Sequence, residues 1–226
     1  EMLKKNKVDG IIGITYSDID KYILSSLPFV SIDRHFSENV YYVTAENFVG
    51  GQIAAEQLLM RGSKQLAYIG GTNIYENETV LRKAGFYDYA SKHGYSVATL
   101  DMPEPIDNLE GHIKTFIQEN PELDGFFTVN DFMALHVMKV MQALGKSCPD
   151  DYQLIGFDGL KTAENQDYLL STIAQPIDQM ANAAVELLMT LIKGPEQPSS
   201  HRVVLPVHFR EGGTTRKKLI KTKKRP

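Results

Sequence analysis

Short runs of apolar residues, most ending on a polar one, alternate along this chain with longer segments of helical period. That alternation excludes most folds at once. GIIGIT (10–15), PFVSID (28–33), LAYIGG (66–71), SVATLD (96–101), GFFTVN (125–130) and YQLIGFD (152–158) read as strands. Most are nearly continuously apolar, the pattern of strands covered on both faces. The segments between them read as helices. Residues 47–61 carry Val49, Ile53, Ala54 and Leu58 at helical spacing before Gly62, and 79–93 stop at Gly94. Residues 131–144 place Met133, Val137, Val140, Met141 and Leu144 on one stripe before Gly145. Residues 179–193 do the same with Met180, Ala184, Leu187, Leu188 and Leu191 before Gly194-Pro195. An apolar stripe closed by glycine is a strong helix signal. Strand and helix in this rhythm give an α/β protein with parallel sheets and right-handed crossovers.

In such sheets, ligands bind beyond the carboxyl ends of the strands. The polar residues at those ends are therefore the candidates: Tyr16 and Asp18, Asp33 and Arg34, Asp101, Asn130 and Asp131, and Asp158. Nothing among them pairs a nucleophile with a base. The chain has no G-x-G-x-x-G, P-loop, H-E-x-x-H or G-x-S-x-G motif, and its six histidines lack ligand spacing. Metal and cofactor are thus expected to be none, and the protein is read as a binder rather than an enzyme. Carboxylates accept two hydrogen bonds, amides donate and accept, and aromatics such as Tyr16, Tyr75 or Phe132 cover the apolar face of a ring. Each candidate also has a plainer reading. Asn130 stands where a helix N-cap belongs, Asp158 can cap the turn after it, Asp33 and Arg34 can form a surface ion pair, and Arg82 is solvated by default.

Composition narrows the partners. Hydrophobic residues make up 42% and charged residues 23%, as in ordinary globular proteins, and no apolar run reaches the length of a membrane span. Cys148 is the single cysteine, so a reducing, cytoplasmic location is expected. The net charge is −4, although the last eleven residues, RKKLIKTKKRP, hold seven Lys or Arg and no acid. The remainder is markedly acidic, a poor surface for phosphate backbones. The tail reads as a solvated end, or more sharply as a contact to nucleic acid or an acidic partner.

Several segments then occur together and in order: VDGIIG, PFVSIDR, ENFVGGQIAAEQLLMRGSKQLAYIGG, RKAGF, FFTVNDFMALHVMKVMQALG with CPDDYQLIGFDG, LSTIAQPIDQMANAAVELL, and LPVHFREGGTT. Over nearly its whole length the chain resembles the effector-binding core of the LacI/GalR family of bacterial transcriptional repressors. The resemblance implies two Rossmann-like lobes with parallel sheets joined by three crossings, with a small-molecule effector clamped between them. It places the crossings near 43–46, 174–177 and 205–209. One lobe is then 1–44 plus 175–205, and the other 45–174 plus 206–226. It implies effector contacts at Arg82, Asn130, Asp158 and Asp33, with Ile177 against the ligand, and Tyr16 and Phe132 join them as aromatic candidates. It also implies homodimerisation, no membrane contact, and operator DNA read by a helix-turn-helix that this sequence does not include. The first lobe so drawn is about half the size of the second, which points to a missing first strand-helix-strand unit. Glu46 replaces the family's usual aspartate beside Asn47, an exchange neutral for the helix dipole. A neutral mono- or disaccharide is the expected effector. The alternative is a periplasmic-type sugar-binding protein of a transport system.

Overall fold

The computed structural model describes residues 8–15, 27–35, 40–72, 78–160, 169–194, 198 and 200–218. In chain order the elements are β1 (Ile11–Gly13), β2 (Phe29–Ile32), β3 (Tyr41–Ala45), α1 (Asn47–Met60), β4 (Leu66–Thr72) and α2 (Val80–Lys92). They continue as β5 (Val97–Pro103), α3 (Leu109–Glu119), β6 (Gly125–Thr128), α4 (Asp131–Ala143), β7 (Gln153–Asp158), β8 (Ser171–Ala174), α5 (Ile177–Lys193), β9 (Arg202–Leu205) and β10 (His208–Arg210). The α/β reading holds, with parallel pairing throughout except where β10 runs antiparallel to β8. The chain divides into two compact units. Unit 1 comprises Glu1–Asn47, Asn73–Val80 and Pro176–Val207, and unit 2 comprises Phe48–Thr72, Leu81–Gln175 and His208–Pro226.

Unit 1 holds a four-stranded parallel sheet in the order β1-β2-β3-β9. Val30 lies opposite Tyr41, and Val43 opposite Val203. Helix α5 packs on β2 and β3. It does so through Met180, Ala184 and Leu187, which are all buried, while Val185, Met189 and Ile192 on its other side are exposed. The i, i+4, i+7 spacing of the buried set is what a one-sided helix requires. The helix starts two residues earlier than its periodicity predicts, immediately after Pro176. All five residues of β3 are buried. This YYVTA strand was not among the predicted ones.

Unit 2 holds a six-stranded sheet in the order β10-β8-β7-β6-β4-β5. Its interior is Leu66, Ile69, Phe86, Phe126, Phe127, Leu154, Ile155, Phe157 and Ile173, at most 1% exposed. Phe86 and Phe127 stack with centroids 5.0 Å apart, joining α2 to the sheet. Helix α4 buries Met133, Val137, Val140 and Met141 as its stripe predicts. Helix α3 was not predicted, although Ile113, Phe116 and Ile117 supply its buried face.

Helix α1 departs from expectation in a way that matters for the site. Val49, placed on the apolar stripe, is exposed. The buried face keeps Ala54 and Leu58 from that stripe and adds Gly50, Gly51 and Ala55. Small residues are needed because α1 and α2 touch backbone to backbone. A Cβ on Gly51 would fall inside the carbonyl oxygen of Arg82, and one on Gly85 inside that of Phe48. Glycine is the residue that permits such an approach. The close crossing fixes α2, and with it Arg82, against the unit 2 sheet.

Candidate functional site

The carboxyl ends of β6, β7 and β8 converge on one polar cluster within unit 2. Arg82, whose plainer reading was a solvated group, is only 3% exposed. Its Nη1 donates to the Val129 carbonyl at 2.7 Å and lies 3.4 Å from Asp158 Oδ1. Its guanidinium carbon sits 3.7 Å from the centroid of the Phe157 ring. A planar cation suits this position because it can stack on an aromatic face and donate in plane at the same time.

Asp158 ends β7 with φ 117°. Side chains other than glycine rarely adopt that conformation, and holding it costs about 1–3 kcal/mol. Such strain persists where the surroundings over-determine it. Here the Asp158 carbonyl accepts from the Gln175 backbone at 3.1 Å, and its Oδ1 accepts from Gln175 Nε2 at 2.9 Å. Its side chain remains 27% exposed beside Arg82 and Gln175.

Sequence reasoning did not single out Gln175. Its Nε2 is committed to Asp158, and its Oε1 is buried without a hydrogen-bond partner among the described residues. A buried acceptor without a donor is costly unless a ligand supplies one. The only signal in the sequence was its place, immediately after the STIA segment.

Asn130 does cap α4: its side chain accepts from the Met133 amide at 2.8 Å, with φ −156° and ψ 173°. The plainer reading is therefore observed, and it accounts for the amide oxygen alone. The adjacent Asp131 points inward. It is fully buried, its Oδ2 accepting from the Gly159 and Leu160 amides at 2.9 and 2.7 Å, and its Oδ1 accepting from Thr172 at 2.7 Å. Burial pushes its carboxyl up to about 6, opposed by the hydrogen bonds from Leu160 and Thr172 and reinforced by the charge on Asp158.

Unit 1 carries its own strand-end cluster. Asp33, with φ 57°, follows β2 and is 8% exposed. It accepts from Thr44 Oγ1 at 2.9 Å, and Thr44 in turn accepts from Asn47 Nδ2 at 3.1 Å. Arg34 is 3% exposed, and its Nη1 approaches the Thr15 carbonyl at 3.4 Å. Neither residue is a surface group, so the reading of a surface ion pair falls.

The remaining candidates are placed as follows. Phe132 is 60% exposed, with its ring edge-on to His136 at 4.7 Å. Ile177 is 57% exposed at the first turn of α5. Asp101 pairs with Lys83 on β5, at the edge of the unit 2 sheet. Tyr16, Asp18 and Tyr75 lie outside the described residues. No group of His, Cys, Asp and Glu capable of holding a metal occurs among the described residues. Among them no helix is long and apolar enough to cross a membrane.

Comparison with known proteins gives a consistent setting. Residues 55–215 match the family model of the periplasmic binding protein-like domain. The chain is 33% identical over 213 residues to the sucrose operon repressor of Streptococcus mutans, covering 94% of this chain and 65% of that protein. It is 29% identical over 195 residues to the ribose operon repressor of Halalkalibacterium halodurans, covering 85% of this chain and 58% of the relative. The chain thus spans less than two thirds of either relative's length. A solved periplasmic binding protein/LacI transcriptional regulator from Alkaliphilus metalliredigens, complexed with D-xylulofuranose, superposes with a TM-score of 0.83 at 28% identity. That match covers 96% of this chain and 81% of the other.

Proposed function

The chain belongs to the periplasmic binding protein-like family, in the branch formed by the effector-binding cores of LacI/GalR-type regulators. From that premise we propose that it binds a neutral sugar and, as part of a cytoplasmic homodimeric repressor, couples that sugar to operator affinity. The observation that carries the reading is the Arg82–Asp158–Gln175 cluster. It combines a stacked guanidinium, a strained carboxylate and a buried amide oxygen lacking a donor. A sugar hydroxyl donates and accepts at once, which this set matches. Asn130 adds an amide whose NH2 is not used by its capping bond, and Phe132 an exposed aromatic face. Asp33, Tyr16 and Ile177 are proposed as further effector contacts.

The cluster binds and does not turn over. Arg82 orients a hydroxyl as a donor, Asp158 receives the hydroxyl proton as an acceptor, and nothing beside them attacks or leaves. Operator DNA is read by a separate helix-turn-helix, so these 226 residues bind sugar without sequence-specific DNA binding. The sugar changes operator affinity only as far as it binds two states of the regulator unequally.

A thermal-shift screen with neutral sugars, sugar phosphates and purines tests the reading. A ligand at a hundred times its Kd stabilises by about 2.7 kcal/mol, so millimolar additions detect micromolar binding. A neutral sugar is expected to raise Tm, with the rise lost in Arg82→Ala and Asp158→Ala. A rise from a purine alone, or one that persists in both variants, contradicts the proposal.

A further inference from the structure

Asn130 and Asp131 are neighbours in sequence with opposite fates. Asn130 is part-exposed at the start of α4, whereas Asp131 is fully buried and ties three pieces of unit 2 together. Its carboxylate reaches the Gly159 and Leu160 amides just after β7, and the Thr172 hydroxyl on β8. The fold clears space for it. A Cβ on Gly156 would collide with Asp131 Oδ1, so the glycine in β7 leaves room for this carboxylate. Thr172 is itself completely buried and also accepts from the Gly159 amide at 3.2 Å.

These bonds hold the C-terminal side of the strained residue, while pairing of β7 with β8 holds its N-terminal side. Asp158, at φ 117°, has its own carbonyl held by the Gln175 amide, and the next two amides held by Asp131. A strained φ survives when both flanks are fixed. Releasing Gly159 and Leu160 would let Asp158 relax to an ordinary conformation and swing its carboxylate away from Arg82. A charge at the first turn of α4 would satisfy the helix dipole while exposed to water. Dipole compensation therefore does not account for its burial or for its three partners on other elements.

We propose that Asp131 is a positioning residue for the effector site: it clamps the turn after β7 and so aims Asp158, without touching the ligand itself. The inference rests on the reading of this cluster as a sugar site. It assigns the two halves of the Asn-Asp pair different tasks, with Asn130 on the ligand side and Asp131 on the scaffold side.

The test compares Asp131→Ala, Asp131→Asn and a control destabilised elsewhere in unit 2, Leu123→Ala, each in the full chain. The asparagine carbonyl can still accept both amides, while its NH2 donates to a Thr172 hydroxyl turned to accept. Two readouts are taken: hydrogen exchange at the Gly159 and Leu160 amides, and calorimetric titration with D-ribose and with sucrose. In Asp131→Ala, exchange at both amides is expected to rise, and affinity for the sugar that binds the unaltered chain to fall, each by about tenfold or more. Asp131→Asn is expected to restore both to within about threefold, and Leu123→Ala to lower Tm with affinity unchanged. The proposal is overturned if Asp131→Ala leaves exchange at those amides unchanged, or raises it without weakening the sugar. It is also overturned if Asp131→Asn binds as poorly as Asp131→Ala, which would make the charge itself the requirement. If neither sugar binds the unaltered chain, the sugar reading fails for these probes, and the exchange data still decide whether Asp131 holds the turn.

Discussion

Asp33 in unit 1 and Asp158 in unit 2 occupy equivalent stations: each stands at the carboxyl end of a parallel strand, and each has positive φ. They differ in what surrounds them. Asp33, at φ 57°, lies in the left-handed region that aspartate tolerates, is 8% exposed, and joins the Thr44–Asn47 chain. Asp158, at φ 117°, lies where glycine alone is comfortable, and its side chain remains 27% exposed between Arg82 and Gln175. The first arrangement satisfies a polar group. The second keeps a part-exposed carboxylate in a strained conformation, held by the bonds of the turn that follows it and by the pairing of β7 with β8. On the proposed reading, strain together with residual exposure marks Asp158 as the carboxylate more available to a ligand, and Asp33 as the one held more closely by its own neighbours.

Substitution by glycine separates the two most sharply. Asp158→Gly removes both the ligand contact and the strain. Sugar affinity should fall about a hundredfold or more by calorimetry, while urea unfolding shows stability held or raised by about 1 kcal/mol. Asp33→Gly should instead lower stability by about 1 kcal/mol, because Thr44 loses its buried acceptor. If both variants were stabilised alike, the contrast would collapse. Next in size, Thr44→Val leaves the Asp33 carboxylate and the Asn47 amide short of a partner, and should cost about 1–2 kcal/mol in the same unfolding measurement.

A pH series sharpens the comparison further. The Asp131 carboxyl is raised from 3.8 to about 6, so the folded state binds a proton more tightly than the unfolded chain. Its contribution to stability is therefore fully present below about pH 4 and is lost as pH rises through about 6. Asp158 is the charged group that acts on it, and Arg82 in turn pairs with Asp158. The stability of the native chain minus that of Asp131→Asn should decline between those pH values and level off above. A flat difference would show that the three hydrogen bonds offset burial completely. The smallest effect is expected at Phe132, where Ala should change stability by no more than about 0.5 kcal/mol, because the ring is 60% exposed.

Much of the scaffold was legible from the sequence. Apolar runs bounded by polar residues marked the β4, β6 and β7 strands, and the stripes closed by Gly145 and Gly194 marked α4 and α5. The stripe assigned to α1 was right at Ala54 and Leu58 and wrong at Val49, because a helix packed through Gly50 and Gly51 shows part of its buried face as an absence of side chains. Strand β3 went unrecognised because YYVTA carries two tyrosines and a threonine, all buried here by the sheet and by α5. The plainer reading of Arg82 as a solvated group falls, because α2 alone cannot show that Phe157 and Val129 lie beneath it. The Asn130–Asp131 pair was visible, but which member faces inward is settled by the α4 cap and the turn after β7, elements far apart in sequence. Gln175 went unnoticed because its significance lies in an acceptor left without a donor, which only three-dimensional placement reveals.

The most direct test of the sugar reading is a side-chain nitrogen NMR titration of the chain with D-ribose and with sucrose, following the Gln175 amide and the Arg82 guanidinium. Saturable shifts at both groups with at least one sugar, absent in Asp158→Gly, are predicted. Saturable binding that leaves both groups unmoved would place the ligand elsewhere and contradict the assignment of this cluster.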